Sequence, residues 1–372
     1  MTPETAGCSG CVETGAWGTE AYWLTGYLNI PKCLQLALYD GYDVMFKKQI
    51  GPHTGKAEDF KSYDELWNAF KTQLEYIIDV KMRGNLVIER IYSQMMPAPF
   101  LSICTDDCIK KGKDYNAGGP RYNTSYIQGV GIGTISDALS AIKFNVFDNQ
   151  KFTMKELIDA MNDDFKGHED ILNLVKNKTP KYGNDDDYAD DIMVSVFNEY
   201  KDYITGRPTT RGGVYHVDML PTTCHVYFGD VMIATPNGRL AHNPLSEGIS
   251  PEKGADINGP TAVVKSCSKM NHCETGGTLL NQKFTPAAIA GEKGIDNLAA
   301  LIRSYFAMNG HHMQFNVIDR QTLIEAQKNP EEYKELIVRV AGYSDYFRNL
   351  DKPLQNEIIE RTEQSFGGCG CC

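Results

Sequence analysis

No run in this 372-residue chain approaches the roughly 18–20 consecutive apolar residues that a bilayer-crossing helix needs, which predicts no membrane span. Basic charge is also in short supply. The net charge is −11 and the pI about 5.3, so nothing here has the footprint of a nucleic-acid or anionic-membrane binder. The first residues lack the basic and apolar regions of a secretory signal. No convincing repeat and no long linker interrupt the chain. The eleven cysteines are odd in number and scattered, so they read as reduced thiols rather than a disulfide framework. A cytoplasmic, reducing compartment is the expectation.

With 42% hydrophobic residues, the chain has ample material for a large core. Capping-box patterns at Ser62–Glu65, Thr153–Glu156 and Thr322–Glu325 predict three helix starts. Leu66, Phe70, Leu74, Ile77 and Ile78 follow the first at helical spacing, and Leu157, Met161 and Phe165 follow the second. A further helix is expected over Pro330–Val338. Strands are expected over Thr222–Val231, Pro260–Lys265 and Met313–Ile318. Helices interleaved with short strands favour an α/β architecture, with a parallel sheet. Asp185, Asp186, Asp187, Asp190 and Asp191 read as a solvated helix start rather than a metal site.

Two short segments at opposite ends carry the chemistry. Cys11 lies two residues before Glu13, which places a thiol beside a potential general base. Cys8 and Cys11 also form a C-x-x-C, but no second C-x-x-C with zinc-like spacing follows, so no metal is expected. Near the other end stands Arg339-Val340-Ala341-Gly342-Tyr343, followed by Gln355-Asn356-Glu357-Ile358-Ile359-Glu360-Arg361-Thr362. Cys11 and Gly342 are 331 positions apart.

These motifs resemble the signature of the glycyl radical enzymes, the pyruvate formate-lyase-like superfamily. Asn116–Asn123, Thr179–Asp186 and Gly277–Phe284 are similar to other segments of that family, and the likeness runs over residues 7–366. The resemblance implies a post-translational glycyl radical on Gly342, installed by a radical S-adenosylmethionine activating enzyme. It implies a thiyl on Cys11, with Glu13 as base or hydrogen-bond acceptor. Glycine suits a stored backbone radical because it has no Cβ and its α-carbon can flatten between amide nitrogen and carbonyl.

The fold implied is the second half of a ten-stranded α/β barrel with a C-terminal glycyl radical domain. Residues 1–240 would hold the cysteine loop and half-barrel, 241–366 the radical domain, and 367–372 a Gly/Cys tail containing Cys369, Cys371 and Cys372. Because Val12 rather than a second cysteine follows Cys11, formate C-acetyltransferase chemistry is disfavoured. The wording around Ser9–Gly15, Leu24–Tyr27 and Met219–Phe228 is similar to the hydroxyproline dehydratases, with arylacetate decarboxylases as the alternative. Tyr27, Thr222 and Thr223 are the candidate substrate contacts. Family members are about twice this long, so an N-terminal half or upstream subunit is the expected partner, with a homodimer in the complete form. The non-enzymatic alternatives are a spare glycyl domain or an inactive fragment.

Overall fold

The computed structural model describes residues 6–9 and 11–366, so the Gly/Cys tail lies outside the described residues. Two parallel sheets organise the chain. In the first, Tyr122–Val130 runs between Glu20–Asn29 and Tyr215–Asp218. Nearly all of its residues from Asn123 onward are buried, as expected of a central strand covered on both faces. Parallel neighbours require long crossovers. Helices Ile30–Leu38 and Tyr63–Met95 lie between the first two strands, and Ile132–Ile142 and Asp187–Ile204 between the next two. In the second sheet, Leu280–Phe284 pairs in parallel with Met313–Val317 and with Glu363–Gln364. A parallel bridge, Met219 to Thr278, links the two sheets, flanked by backbone bonds from Gly276 N–H to Val217 O and from Met219 N–H to Gly277 O.

This arrangement corrects the expected half-barrel. Among the described residues no barrel closes, and the largest sheets are open and three-stranded. Two of the expected strands are helices. Over Thr222–Val231, alternation of apolar residues suggested a strand, but the chain turns at Thr222 (φ 54°) and forms the helix Cys224–Asp230. Its buried residues, His225 and Gly229, are four apart, which is the helical period. Pro260 sits at the first position of helix Pro260–Ser268, where its missing N–H has no helical partner to lose. Conversely, no helix forms over 330–338. Residues 330–335 are turns, and Ile337–Arg339 is a strand. The strand expected at Met313–Ile318 forms as Met313–Val317.

The helix starts are mostly as read. Thr153 and Glu156 make the full reciprocal capping box. Ser62 accepts from Glu65 N–H, but the Glu65 carboxylate returns to Lys61 N–H. The third helix starts earlier, as Arg320–Lys328, because Asp319 caps it by accepting from Thr322 N–H. Leu66, Phe70, Leu74, Ile78, Leu157, Met161 and Phe165 are all buried in the main core. Asp186 caps Asp187–Ile204, as the acidic run suggested. Asp190, however, is fully buried and bonded by Ser266 and Lys269, not solvated. No helix of the described residues is long and apolar enough to cross a membrane.

Candidate active site

Two hairpins meet tip to tip. Ala6–Ser9 pairs antiparallel with Glu13–Ala16, and Ser9 opposes Glu13, which leaves Cys11 and Val12 at the turn. The Glu13 carboxylate folds back over this turn. One of its oxygens accepts from Cys11 N–H at 2.6 Å and from Val12 N–H at 3.0 Å. The acid is thereby fixed to the loop that carries the thiol, by charge-assisted bonds. The turn is docked below by Thr14 N–H donating to Gly276 O at 2.7 Å. Gly277 permits the approach, since a Cβ there would lie 2.6 Å from Val12 O.

Ile337–Arg339 and Ser344–Tyr346 form the second hairpin, with Arg339 opposite Ser344. Val340 N–H donates to Tyr343 O at 2.9 Å and closes the tip. Gly342 occupies this tip at φ 79°, in the left-handed region that side chains disfavour. A Cβ placed on Gly342 would fall 1.9 Å from Cys11 Cβ and 2.6 Å from Cys11 Sγ. Adding one C–C bond to that gap puts the Gly342 α-carbon within about 4 Å of the sulfur. Only glycine fits this cradle. Around it, Val12, Leu220, Leu279 and Ala341 form a small apolar cluster, each at most 1% exposed. These four residues pack apolar surface around the contact.

The downstream motif holds the glycine hairpin. Gln355 donates to Phe347 O and Leu350 O. Glu357 and Arg361 form a buried pair, with Arg361 Nη2 to Glu357 Oε2 at 2.9 Å. Burial works to raise the Glu357 carboxyl, but Arg361 and His225 hold it well below its ordinary value. The Arg361 guanidinium also reaches Arg339 O, at the base of the hairpin.

Glu13 opens onto a cavity of about 510 Å³ lined by Trp17, Glu20, Tyr22, Leu24 and Tyr115. Tyr22 stacks on Tyr126 with ring centroids 3.9 Å apart, and its hydroxyl donates to Asp218. Burial pushes the Asp218 carboxyl well above its usual range, and the nearby Glu13 charge adds to this. Burial, then Asp218, likewise raises the Tyr22 phenol. Sequence reasoning missed both residues. The one available signal was an acidic residue, Asp218, following Tyr215 and Val217 in a short apolar-rich run, a strand in which both are buried.

Of the three candidate substrate contacts, the structure joins two. Tyr27 OH lies 3.2 Å from Thr222 Oγ1. A register shift between Leu24 and Tyr27 re-aims the tyrosine, and Gly26 at φ 113° accommodates it. Thr222 itself is held at a positive φ, unusual for a β-branched residue. Thr223 instead lines a separate cleft with Val226, His242 and Tyr343. The C-x-x-C pairing falls partly outside the described residues, because nothing is described of the Cys8 side chain. Among the described residues, no group of three or more His, Cys, Asp or Glu is disposed to hold a metal ion.

Known proteins share this architecture. The family model described as "Pyruvate formate lyase-like" matches residues 2–229, and that described as "Glycine radical" matches residues 245–348, which include Gly342. Trans-4-hydroxy-L-proline dehydratase of Clostridioides difficile is 65% identical over 360 residues, covering 97% of this chain and 46% of that protein. The crystal structure of hydroxyproline dehydratase from Clostridioides difficile with trans-4-hydroxy-L-proline bound superposes with a TM-score of 0.97 at 64% identity, covering 98% of this chain and 47% of that one. The glycerol-bound B12-independent glycerol dehydratase from Clostridium butyricum gives 0.94 at 44% identity, covering 97% and 46%. The chain thus spans about half the length of the curated relatives it matches.

Proposed function

Because this chain belongs to the pyruvate formate lyase-like glycyl radical enzymes, we propose that it supplies the radical and thiol machinery of a dehydratase acting on a small hydroxylated substrate such as trans-4-hydroxy-L-proline. One observation carries this reading. Gly342 is the residue whose added Cβ would overlap Cys11, at a φ that itself favours glycine. The cradle therefore fits a backbone radical and nothing bulkier. Residues 1–240 contribute the thiol and the acid, and residues 241–366 contribute the radical loop. The proposed partner is a radical S-adenosylmethionine activating enzyme, in a reducing cytoplasm.

When present, the radical supplies a one-electron acceptor of a hydrogen atom. Cys11 gives its thiol hydrogen to the Gly342 α-carbon, so an S–H bond breaks and a C–H bond forms. The Cys11 sulfur then takes a hydrogen atom from the substrate carbon adjacent to the C–OH. Glu13, anchored by the Cys11 and Val12 amides, accepts the proton of a neighbouring N–H or O–H. The C–O bond breaks, that proton leaves with hydroxide as water, and the product radical retakes its hydrogen from Cys11. Val12, not a second cysteine, follows Cys11, which favours elimination over acyl transfer. The similarity to two dehydratases supports the same choice.

The test is anaerobic electron paramagnetic resonance after incubation with the activating enzyme. A doublet, together with loss of water from trans-4-hydroxy-L-proline, is expected. A doublet with turnover only of another hydroxylated compound would move the substrate. No doublet in the native polypeptide or complex containing this chain would sink the radical reading.

Tyr27 and Thr222 are proposed as substrate contacts. Tyr27→Phe removes the hydroxyl that meets Thr222 and leaves the ring. A polar group of the site then goes unpaired, so kcat/KM is expected to fall about 10–100-fold, mostly in KM, with the radical yield intact. Steady-state kinetics with parallel spin counting decides this. An unchanged KM would remove Tyr27 from the substrate site.

A further inference from the structure

We propose that Gln314 is a positioning residue for the radical glycine: its amide oxygen, by accepting from Gly342 N–H, aims the Gly342 α-carbon hydrogen at Cys11. This rests on the reading of Gly342 as the radical residue. Gln314 lies on the strand Met313–Val317, 6% exposed. Its Oε1 accepts from Gly342 N–H at 3.0 Å and from Arg339 Nε at 2.8 Å. Its Nε2 donates to Asn281 Oδ1. Asn281 Nδ2 in turn donates to Glu247 Oε2 at 2.6 Å, and Glu247 accepts from Ser250 Oγ at 2.5 Å.

This chain of partners leaves the amide one orientation. Arg339 only donates, so it selects the oxygen, and the Asn281 oxygen selects the nitrogen. The Gln314 oxygen is therefore a fixed point, set by two strands of the second sheet. Gly342 N–H is tied to it, which fixes the plane of the Ala341–Gly342 peptide. That plane and φ 79° together determine where the α-carbon hydrogen points. Glycine has no side chain to pack, so its orientation must be set through its backbone. Donation by the same amide's nitrogen to Asn281 polarises the group and strengthens its oxygen as an acceptor. An acceptor on the amide N–H also enriches the nitrogen, one of the two groups over which an α-carbon radical spreads.

Hydrogen-atom transfer demands near-contact geometry, and an error of about 1 Å costs about 10²-fold in rate. The readout is the exchange of the Gly342 hydrogen in D₂O. Thiol hydrogens exchange with solvent, so Cys11 returns deuterium to Gly342; when the sulfur next removes the original hydrogen, the deuterium stays on the α-carbon and the doublet collapses. In the native polypeptide or complex containing this chain, Gln314→Leu is expected to slow the collapse by at least about tenfold, with spins per chain within about twofold of wild type. Gln314→Glu keeps an acceptor oxygen for both Gly342 and Arg339 but loses the donor to Asn281, so its collapse is expected to fall between those of wild type and Gln314→Leu. A purely structural residue would lower spin count and activity together and leave the exchange rate per spin unchanged.

A Gln314→Leu rate within about twofold of wild type overturns the inference, as does a Gln314→Glu rate as slow as that of Gln314→Leu. If Gln314→Leu does not fold, Asn281→Ala replaces it. Releasing the amide nitrogen is expected to slow the collapse about threefold, and an unchanged rate overturns the inference. A doublet that persists in Gly342→Ala overturns the reading of Gly342 itself. A normal wild-type doublet with insensitive Gln314 variants overturns this inference alone.

Discussion

Gly342→Ala is expected to abolish both the glycyl doublet and turnover, a loss to below detection. Two independent physical causes converge on this residue. The first is space. The new methyl would lie 1.9 Å from Cys11 Cβ, far inside van der Waals contact. Neither tip can yield easily, because Val12 and Ala341 are both fully buried around it. The second is conformation. At φ 79° an L side chain adds about 1–2 kcal/mol of backbone strain. Overpacking adds about 1–3 kcal/mol unless the hairpins separate. The variant is therefore expected to fold with a lowered unfolding midpoint and with the two tips parted. Exposure of the activated wild type to air should cleave the backbone at Gly342 and release a piece beginning there. The alanine variant should stay intact under the same treatment. Mass spectrometry after air exposure checks this, and cleavage at the same position in Gly342→Ala would refute the assignment of the radical.

Much of the candidate site was legible in the sequence because the proposed chemistry needs particular residues in particular local settings. A single glycine flanked by Val340, Ala341 and Tyr343, and a cysteine two residues from an acid, are local patterns. The structure brings those two distant tips into contact. What was not legible depends on tertiary partners. Gln314 and Asn316 alternate along a strand and are both buried. Polar residues at the buried positions of a strand require satisfied partners, and only the fold shows that those partners are the glycine-loop backbone. Tyr22 and Asp218 are 196 positions apart, and neither has a local signature. Thr222 and Thr223 are neighbours in sequence, yet the positive φ at Thr222 sends them to different surroundings.

The fold was harder to read than the site. Alternation at 224–228 could be read as a strand, because five residues are too few to separate period 2 from period 3.6. A β-rich composition at 260–265 hid a helix that begins with proline after a glycine at φ 84°. Both misreadings added strands that the chain does not make. By contrast, Thr153–Glu156 was read correctly, since a capping box is satisfied within four residues and owes nothing to distant packing.

Glu13→Gln is expected to separate the two tasks of the acid. The carboxylate accepts from Cys11 N–H and Val12 N–H, which is a structural task that an amide oxygen can also perform. Taking a proton from the activated substrate is a task the amide cannot perform. The glutamine variant should therefore keep the loop, the doublet and its collapse in D₂O. Its kcat should fall by about 10²–10⁴-fold, the span that a positioned general base contributes. Glu13→Ala removes both tasks. Two amides then lose their acceptor, the turn loosens, and the collapse in D₂O slows as well. Cys11→Ser keeps the doublet but loses turnover, since an O–H bond is too strong to yield its hydrogen to the glycine. The three variants thus form a series: radical and transfer intact without chemistry, radical with slowed transfer, and radical without transfer. If Glu13→Gln turns over within about threefold of wild type, proton transfer belongs to another group. Tyr22 with Asp218 would be the next pair to test, because both border the chemistry at Glu13: Tyr22 lines its cavity, and Asp218 is raised in part by its charge.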